Sequence, residues 1–256
     1  MNDGKADSKE RFSSRVDAYV KARPRYPRAV LEHLGNAIGF DPLWHVVDVG
    51  SGTGISCELF LANGNAVTGV EPNAAMRRAA KQSLGGYSRF RSVAGSAEAT
   101  TLADGVADLV VAAQAFHWFD IDETRREFRR ILRPGGYALL MWNDRRLDGT
   151  PFLEGYERLL RKFGTDYLAV RHNNVGDAHF RAFFGGHFES ATLPNAQHLD
   201  YAGLEARLLS SSYTPAAGDP RHDPMLSALR ELFEQYSENR QVTIEYDTRL
   251  FFAALR

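Results

Sequence analysis

Three glycines and one aspartate within a short stretch have a spacing typical of a ligand-binding loop. The stretch reads VVDVGSGTG over residues 46–54, and Asp48 comes two residues before Gly50, the first of the glycines. The β-branched run before the glycines is typical of a buried parallel strand, and glycine lets a ligand approach the backbone closely. Residues 55–62 are predicted to form a helix, so the stretch opens a strand–loop–helix unit that binds a nucleotide.

The spacing of this loop differs from two common phosphate-binding patterns. Dinucleotide-binding loops read G-x-G-x-x-G, and phosphate-binding loops place a lysine after their last glycine, where this chain has Ile55. The loop therefore has a carboxylate beside it but no cation for a pyrophosphate. A ligand with a charged amino-acid end, which can donate hydrogen bonds to a carboxylate, fits this stretch better.

A second acidic residue follows at a distance suited to ribose binding. Glu71 ends the predicted second strand, 66–70, and lies 17 residues after Gly54. A carboxylate at the end of that strand can accept hydrogen bonds from two ribose hydroxyls. Glu71 disfavours a 2′-phosphate and so argues against NADP. It does not by itself identify the ligand, because NAD and other nucleoside ligands all carry ribose.

Together with three later motifs, residues 48–54 and Glu71 resemble class I S-adenosylmethionine-dependent methyltransferases, and within them the small-molecule type 11 group. The later motifs are Ser96-Ala97-Glu98, Gln114 to Phe119 and Leu132-Arg133-Pro134-Gly135-Gly136. The resemblance is good over residues 12–143 and loose elsewhere. It implies an α/β fold: a Rossmann-like, doubly wound, seven-stranded and mostly parallel sheet with an antiparallel last strand and a helical substrate cover. It also implies S-adenosyl-L-methionine as cofactor and S-adenosyl-L-homocysteine as product.

The same resemblance implies which residues surround the cofactor. Ser96 stands where many relatives have aspartate, and a serine accepts a weaker hydrogen bond than a carboxylate. Met76 is either an adenine contact or ordinary core. Pro72 fits the first turn of the helix that follows the second strand. The implied cofactor-binding residues are Tyr19, Arg23, Asp48, Gly50, Ser51, Gly52, Gly54, Glu71, Pro72, Met76, Ser96, Ala97, Glu98, Ala113 and Gln114.

Two further segments are candidates for the surroundings of the methyl acceptor. Residues 11–26 carry a helical apolar face, which suits either a lid over the cofactor or a helix packed on the outside of the domain. His117 follows the predicted fourth strand, 106–113, and is a candidate general base; a purely structural hydrogen bond is the alternative. The loop 210–215 is either a wall of the substrate site or a surface turn. The candidate substrate-binding residues are Tyr26, His117, Trp118 and Tyr213.

Composition narrows the classes of partner. The chain has 256 residues, 44% of them hydrophobic, and a formal net charge of −1, so it lacks the basic field that favours nucleic acid or anionic membranes. The single cysteine, Cys57, cannot form an intramolecular disulfide, which suits a reducing compartment. Neither a signal peptide nor a transmembrane run is visible. We therefore expect a soluble, cytoplasmic monomer or homodimer without a metal ion.

These patterns predict one methyltransferase domain over residues 1–256. Within it we expect an N-terminal segment and lid helix at 1–28, a cofactor-binding core at 29–143, and a substrate cover with the last two strands at 144–256. The expected activity is in-line methyl transfer to a small molecule. An RNA or protein methyltransferase is the alternative enzyme, a non-catalytic sensor of adenosylmethionine is the alternative class, and an NAD dehydrogenase is more distant.

Overall fold

A seven-stranded sheet forms the centre of the computed structural model, which describes residues 22–167 and 176–255. The strands are β1 His45–Val49, β2 Ala66–Val70, β3 Phe90–Val93, β4 Ala107–Ala113, β5 Leu132–Arg145, β6 Glu189–Leu199 and β7 Val242–Ala254. The helices are α1 Ala29–Ile38, α2 Ile55–Ala62, α3 Ala74–Ser83, α4 Ile121–Ile131, α5 Pro151–Phe163, α6 Asp177–Phe184, α7 Tyr201–Leu209 and α8 His222–Tyr236, with a 3₁₀ turn at Phe116–Trp118.

The strand order is β3-β2-β1-β4-β5-β7-β6. β1, β2, β3, β4 and β5 pair in parallel, and β7 runs antiparallel to both of its neighbours, β5 and β6. This arrangement confirms the predicted fold class. The chain leaves β1 toward β2 on one side and returns to β4 on the other, so a crevice opens between the carboxyl ends of β1 and β4. Open α/β sheets bind their ligands at such a point.

The central strands have no polar face because both of their faces are covered by helices. Val47 of β1 and Leu140 of β5 belong to the core beneath α4 and α6, while Val46 of β1 and Leu139 of β5 belong to the core beneath α1 and α2. Successive side chains of a strand point to opposite faces of the sheet. The continuous apolar runs of β1 and β4 follow from this double burial.

A third apolar core joins α5, α7 and α8 to the start of β7. Ala113, the last paired residue of β4, lies opposite Met141, and β5 continues from there to Arg145, which pairs with Tyr246 of β7. β5 and β7 therefore extend beyond the parallel part of the sheet. We call the three helices packed on that extension the cover; that they cover a substrate stays a prediction.

β5 begins at Leu132, and residues 133–136 form a bulge at which its pairing with β4 shifts register. At the start of the described chain Ala22 is helical, but residues 24–27 are not, because Pro24 and Pro27 disfavour that conformation and end the predicted lid helix. The rest of that helix, with Tyr19, lies outside the described residues. None of the described helices has the length and apolar character that crossing a membrane requires.

Candidate functional site

The glycine loop lies at the carboxyl end of β1 and packs against the segment that follows β4. Gly50 has φ of +71°, and a Cβ added there would lie 2.7 Å from the Cβ of Ala115. Gly52 has φ of +54°, but a Cβ added there would meet nothing within 4 Å. The backbone is therefore tightly packed at Gly50 and faces open space at Gly52. Ser51 and Gly54 close the turn through a hydrogen bond of 2.9 Å from Gly54 N to Ser51 O.

Glu71 connects the glycine loop to the start of α3. Val49 pairs with Val70, so the residues after these two strands lie side by side at one edge of the sheet. The carboxylate of Glu71 accepts hydrogen bonds from Gly52 N at 3.0 Å and from Asn73 N at 2.8 Å. It is 8% exposed. These two backbone donors fix the orientation of the carboxylate at the edge of the crevice.

Pro72 and Met76 belong to the segment that begins α3. Asn73 is the N-cap of this helix, and its side chain accepts hydrogen bonds from Ala75 N and Met76 N at 2.8 and 3.2 Å. Pro72 therefore precedes the cap instead of occupying the first turn, which corrects the expectation for its position. Met76 is buried. Both positions adjoin Glu71, and their contacts with a cofactor stay predictions.

Asp48 is a completely buried carboxyl group beneath the loop. Its Oδ2 accepts hydrogen bonds from Ser56 Oγ at 2.5 Å and Cys57 Sγ at 3.1 Å, whereas its buried Oδ1 has no hydrogen-bond partner among the residues described. Burial raises the pKa of Asp48 to about 6; the negative charge of Glu71 adds to this, and the two hydrogen bonds oppose it. Burial also raises the pKa of Cys57, which agrees with a thiol in the core and not with a nucleophile.

The segment after β3 forms a tight turn held by two backbone hydrogen bonds. Ser96 N donates to Ala99 O at 3.0 Å, and Ala99 N donates to Ser96 O at 3.3 Å. Ala97 is buried. Glu98 Oε1 accepts a hydrogen bond of 3.1 Å from Asp120 N, the N-cap residue of α4. Glu98 thus connects this turn to the segment that follows β4.

At the end of β4 the chain turns sharply at Gln114, directly after the partly buried Ala113. Gln114 has φ of +57°, unusual for a residue other than glycine. Its N–H donates to Met141 O at 3.0 Å, and its side-chain Nε2 donates to Asn143 O at 3.2 Å. Both bonds tie Gln114 to β5. Its side chain therefore stabilises the turn, in addition to any contact with a cofactor.

His117 and Trp118 form the outer part of the 3₁₀ turn that follows. Phe116 anchors the turn in the core, where its ring lies 4.9 Å from that of Phe183. The rings of His117 and Trp118 are 4.7 Å apart, and Trp118 is 42% exposed. The turn thus presents one large apolar side chain and one imidazole beside the end of β4.

Residues 22–26 lie across the ends of the last strands and are held there by side-chain amides. Gln197 Nε2 donates to Ala22 O at 3.2 Å, and Asn195 Nδ2 and Asn143 Nδ2 donate to Arg25 O at 2.8 and 3.3 Å. The sequence analysis missed these three amides. Polar residues at the ends of apolar strands are the signal that could have revealed them.

Three predicted site residues, two in that segment and one in the cover, have contacts that the sequence did not predict. Arg23 Nη2 donates to Ser210 O, at the end of α7, at 3.1 Å. Tyr26 is buried in the core cluster beneath α1. Tyr213 lies in the cover, where its ring is 5.0 Å from that of Tyr167. The described structure thus brings Arg23 and Tyr213 to the cover and Tyr26 to the core.

The comparison with protein families identifies the central part of the chain. Residues 47–140 match the family model described as a methyltransferase domain, of the type 11 group. An uncharacterized methyltransferase-like protein of Schizosaccharomyces pombe is 30% identical over 159 residues, which are 60% of this chain and 59% of that protein. An uncharacterized methyltransferase of Mycobacterium bovis is 34% identical over 145 residues, 57% of each chain. The chain thus spans a little under three fifths of the length of these relatives.

A solved structure has the same fold over almost the whole chain. It is that of a presumed type II methyltransferase from Anaeromyxobacter dehalogenans, with a TM-score of 0.67 at 23% identity, covering 91% of this chain and 98% of the other. The resemblance inferred from the sequence is confirmed over the central part of the chain: residues 47–140 match the methyltransferase-domain model.

Proposed function

We propose that the protein transfers a methyl group from S-adenosyl-L-methionine to a small-molecule acceptor. One observation carries the proposal: in a methyltransferase domain, Glu71 is hydrogen-bonded to Gly52 at the adjoining ends of β1 and β2. Two further observations fit this cofactor. Gly52 faces open space, and the Oδ1 atom of Asp48 is buried without a partner among the described residues, as suits a ligand whose amino-acid end donates hydrogen bonds.

In this proposal the chain's own residues bind and orient the two reactants. Asp48 and the loop 50–54 hold the amino-acid end of the cofactor, Glu71 accepts hydrogen bonds from its ribose, and Met76, Ser96 and Ala97 surround its adenine. The bound cofactor would supply a sulfonium methyl group: the acceptor atom would bond to the methyl carbon as the carbon–sulfur bond breaks, and S-adenosylhomocysteine would leave as a neutral thioether. Alignment of the acceptor with that methyl group, in a pocket that excludes water, can account for several of the roughly 7–11 kcal/mol available from proximity.

The test has two steps. Isothermal titration should give binding of S-adenosylhomocysteine and none of NAD; the absence of heat with S-adenosylhomocysteine on folded protein would refute the proposal. Labelled S-adenosylmethionine is then incubated with separate small-molecule, RNA and protein fractions. Label in the small-molecule fraction is expected. Label in RNA or protein would favour the alternative enzymes, and binding without any transfer would favour the sensor.

Two glycine substitutions distinguish contact with the cofactor from packing of the loop. Gly52→Ala should weaken binding of S-adenosylhomocysteine at least about tenfold, because a methyl group enters the space used by the ligand, while the unfolding free energy falls by only about 1 kcal/mol from φ strain. Gly50→Ala should lower the unfolding free energy by about 2–4 kcal/mol, since its methyl group also meets Ala115. Calorimetry and urea unfolding measure the two effects. Unchanged ligand affinity of the Gly52 variant would exclude that residue from the site.

His117 is the candidate general base, and its importance depends on the acceptor. If the acceptor is a hydroxyl or a carbon acid, His117→Ala should lower turnover about 10²–10⁴-fold, because proton removal loses its catalyst. A carboxylate acceptor, already deprotonated, should react at nearly the wild-type rate. Turnover and its pH profile are measured for both proteins with the acceptor found above. An unchanged rate with a hydroxyl acceptor would leave His117 with a structural role.

A further inference from the structure

Arg207 is a buried cation whose hydrogen-bond partners in the described structure are both neutral. It lies on α7, is 6% exposed, and donates from Nε to Tyr246 Oη at 3.2 Å and from Nη1 to Ser211 Oγ at 3.2 Å. Within residues 22–167 and 176–255 no carboxylate forms an ion pair with it, and its Nη2 makes no hydrogen bond. A buried charge is costly unless an opposite charge compensates it.

The acidic group nearby on the cover already has its own partners. Glu157 accepts hydrogen bonds from Arg145 Nη2 at 2.6 Å, from Arg161 Nε at 2.8 Å and from Tyr167 Oη at 2.5 Å. Two arginines thus share one carboxylate, so this group cannot also neutralise Arg207. The cover keeps an excess of positive charge in its interior.

The tyrosines around Arg207 do not supply a negative charge at physiological pH. The tyrosines that interact with Arg207 are Tyr246, Tyr156 and Tyr213, and burial raises the pKa of Tyr156. Tyrosine is uncharged below its pKa. The charge of Arg207 is therefore surrounded by neutral hydroxyls and aromatic rings.

Arg207 lies on the cover side of the crevice, beyond the carboxyl end of β4. Its partner Tyr246 pairs with Arg145 at the carboxyl end of β5, and Tyr246 Oη donates at 2.6 Å to Gln197, which holds the segment 22–26. Ala113, at the end of β4, pairs with Met141. Arg145 lies four residues beyond Met141 in β5, so Tyr246 lies roughly 13 Å beyond the end of β4 along the strands, at about 3.3 Å per residue.

We propose that Arg207 binds an oxyanion of the methyl acceptor, which makes the acceptor a small molecule bearing a carboxylate or a phosphate group. The proposal rests on the proposed methyl transfer, because it describes the acceptor of that reaction. The charged group of the acceptor lies on the cover side of the crevice, and the atom that receives the methyl group lies nearer the end of β4. An arginine suits this role because its planar fork can donate two parallel hydrogen bonds to an oxyanion.

A purely structural role and the proposed role of Arg207 lead to different expectations for one substitution. A buried cation that serves only to fill space can be replaced by an apolar side chain of similar length without loss of stability, and such replacements often stabilise a protein. Arg207→Met removes the charge and keeps most of the length. Arg230→Met is the matched control, because Arg230 lies on the exposed surface of α8, where its guanidinium lies over the ring of Tyr201 at 4.2 Å.

The experiment uses the full chain saturated with S-adenosylhomocysteine. Calorimetry first gives the affinity of the wild type and both variants for S-adenosylhomocysteine, which should be equal. Melting temperatures are then measured against increasing malonate or inorganic phosphate, with chloride replaced so that ionic strength stays constant. The wild type and Arg230→Met should be stabilised by at least one of the two anions, and the dissociation constant derived for Arg207→Met should be about 10- to 100-fold higher.

The outcomes separate this proposal from the proposed function. Stabilisation by malonate alone indicates a carboxylate acceptor, and stabilisation by phosphate alone indicates a phosphate ester. Stabilisation by both anions indicates a site that binds either oxyanion. Each of these results supports the proposal if Arg207→Met abolishes the stabilisation. An equal response of Arg207→Met and the wild type, or no response of the wild type, overturns it. A wild type that binds no S-adenosylhomocysteine contradicts the proposed methyl transfer itself, whatever the anions do.

Discussion

Replacing Glu71 with glutamine is expected to raise the dissociation constant of S-adenosylhomocysteine about a hundredfold or more. The carboxylate already accepts hydrogen bonds from the backbone N–H groups of Gly52 and Asn73, and we propose that it also accepts them from ribose hydroxyls. Glutamine keeps the shape but replaces one acceptor oxygen with an NH₂ group, which faces one of these donors. A hydrogen bond to a charged group contributes about 1.5–3 kcal/mol, so two weakened bonds correspond to that loss of affinity.

Calorimetry with S-adenosylhomocysteine measures this effect, and Glu32→Gln is the matched control. Glu32 lies in the first turn of α1, and its side chain is 69% exposed, so its substitution should change the affinity less than about twofold. An affinity of Glu71→Gln within threefold of the wild type would mean that this carboxylate only holds the glycine loop.

Replacing Asp48 with asparagine should stabilise the ligand-free protein at pH 8 by about 3 kcal/mol and leave its stability at pH 4 almost unchanged. Burial raises the pKa of Asp48 from 3.8 to about 6. Between these values the folded protein keeps a proton that the unfolded chain releases, so the wild type loses stability as the pH rises through this window. Asparagine carries no charge and avoids that loss, and a pKa difference of about 2 corresponds to roughly 3 kcal/mol.

Urea unfolding at several pH values between 4 and 8 gives the difference between the two proteins. The difference should grow through pH 4–6 and then stay constant. Asp122→Asn, an exposed position on α4, should give no such dependence. A difference that is the same at every pH would show that the pKa of Asp48 is not raised in the folded protein. In a second measurement Asp48→Asn should bind S-adenosylhomocysteine more weakly, so stability and ligand affinity change in opposite directions.

The cofactor side of the molecule could be predicted because its signals are local. The run before Gly50 is apolar since β1 is covered on both faces, and Glu71 lies beside the loop because β1 and β2 pair in register. Each element there is bounded by its own turn residues. The predicted limits of the helix 55–62 and of the strands 66–70 and 106–113 therefore agree with the structure within one residue.

The acceptor side could not be predicted in the same way because its contacts join distant parts of the chain. Arg207 meets Tyr246, which is 39 residues away, and Asn195 meets Arg25 across 170 residues. In the sequence Arg207 is an arginine in a short amphipathic helix and looks like any solvated cation. Tyr26, a tyrosine near the predicted lid, packs beneath α1, which the sequence did not indicate; its contact with a substrate stays a prediction.

The extension of β5 and β7 sets how high the cover stands above the crevice. β5 runs four residues beyond Met141, the partner of the last residue of β4, which corresponds to roughly 13 Å at about 3.3 Å per residue. Removing a residue pair from both strands would keep every side chain on its face and bring the roof about 7 Å closer, whereas removing one residue would turn the faces over. The height of the cover above the crevice therefore changes in steps of two residues, and the length of β5 and β7 limits the size of a molecule that fits beneath it.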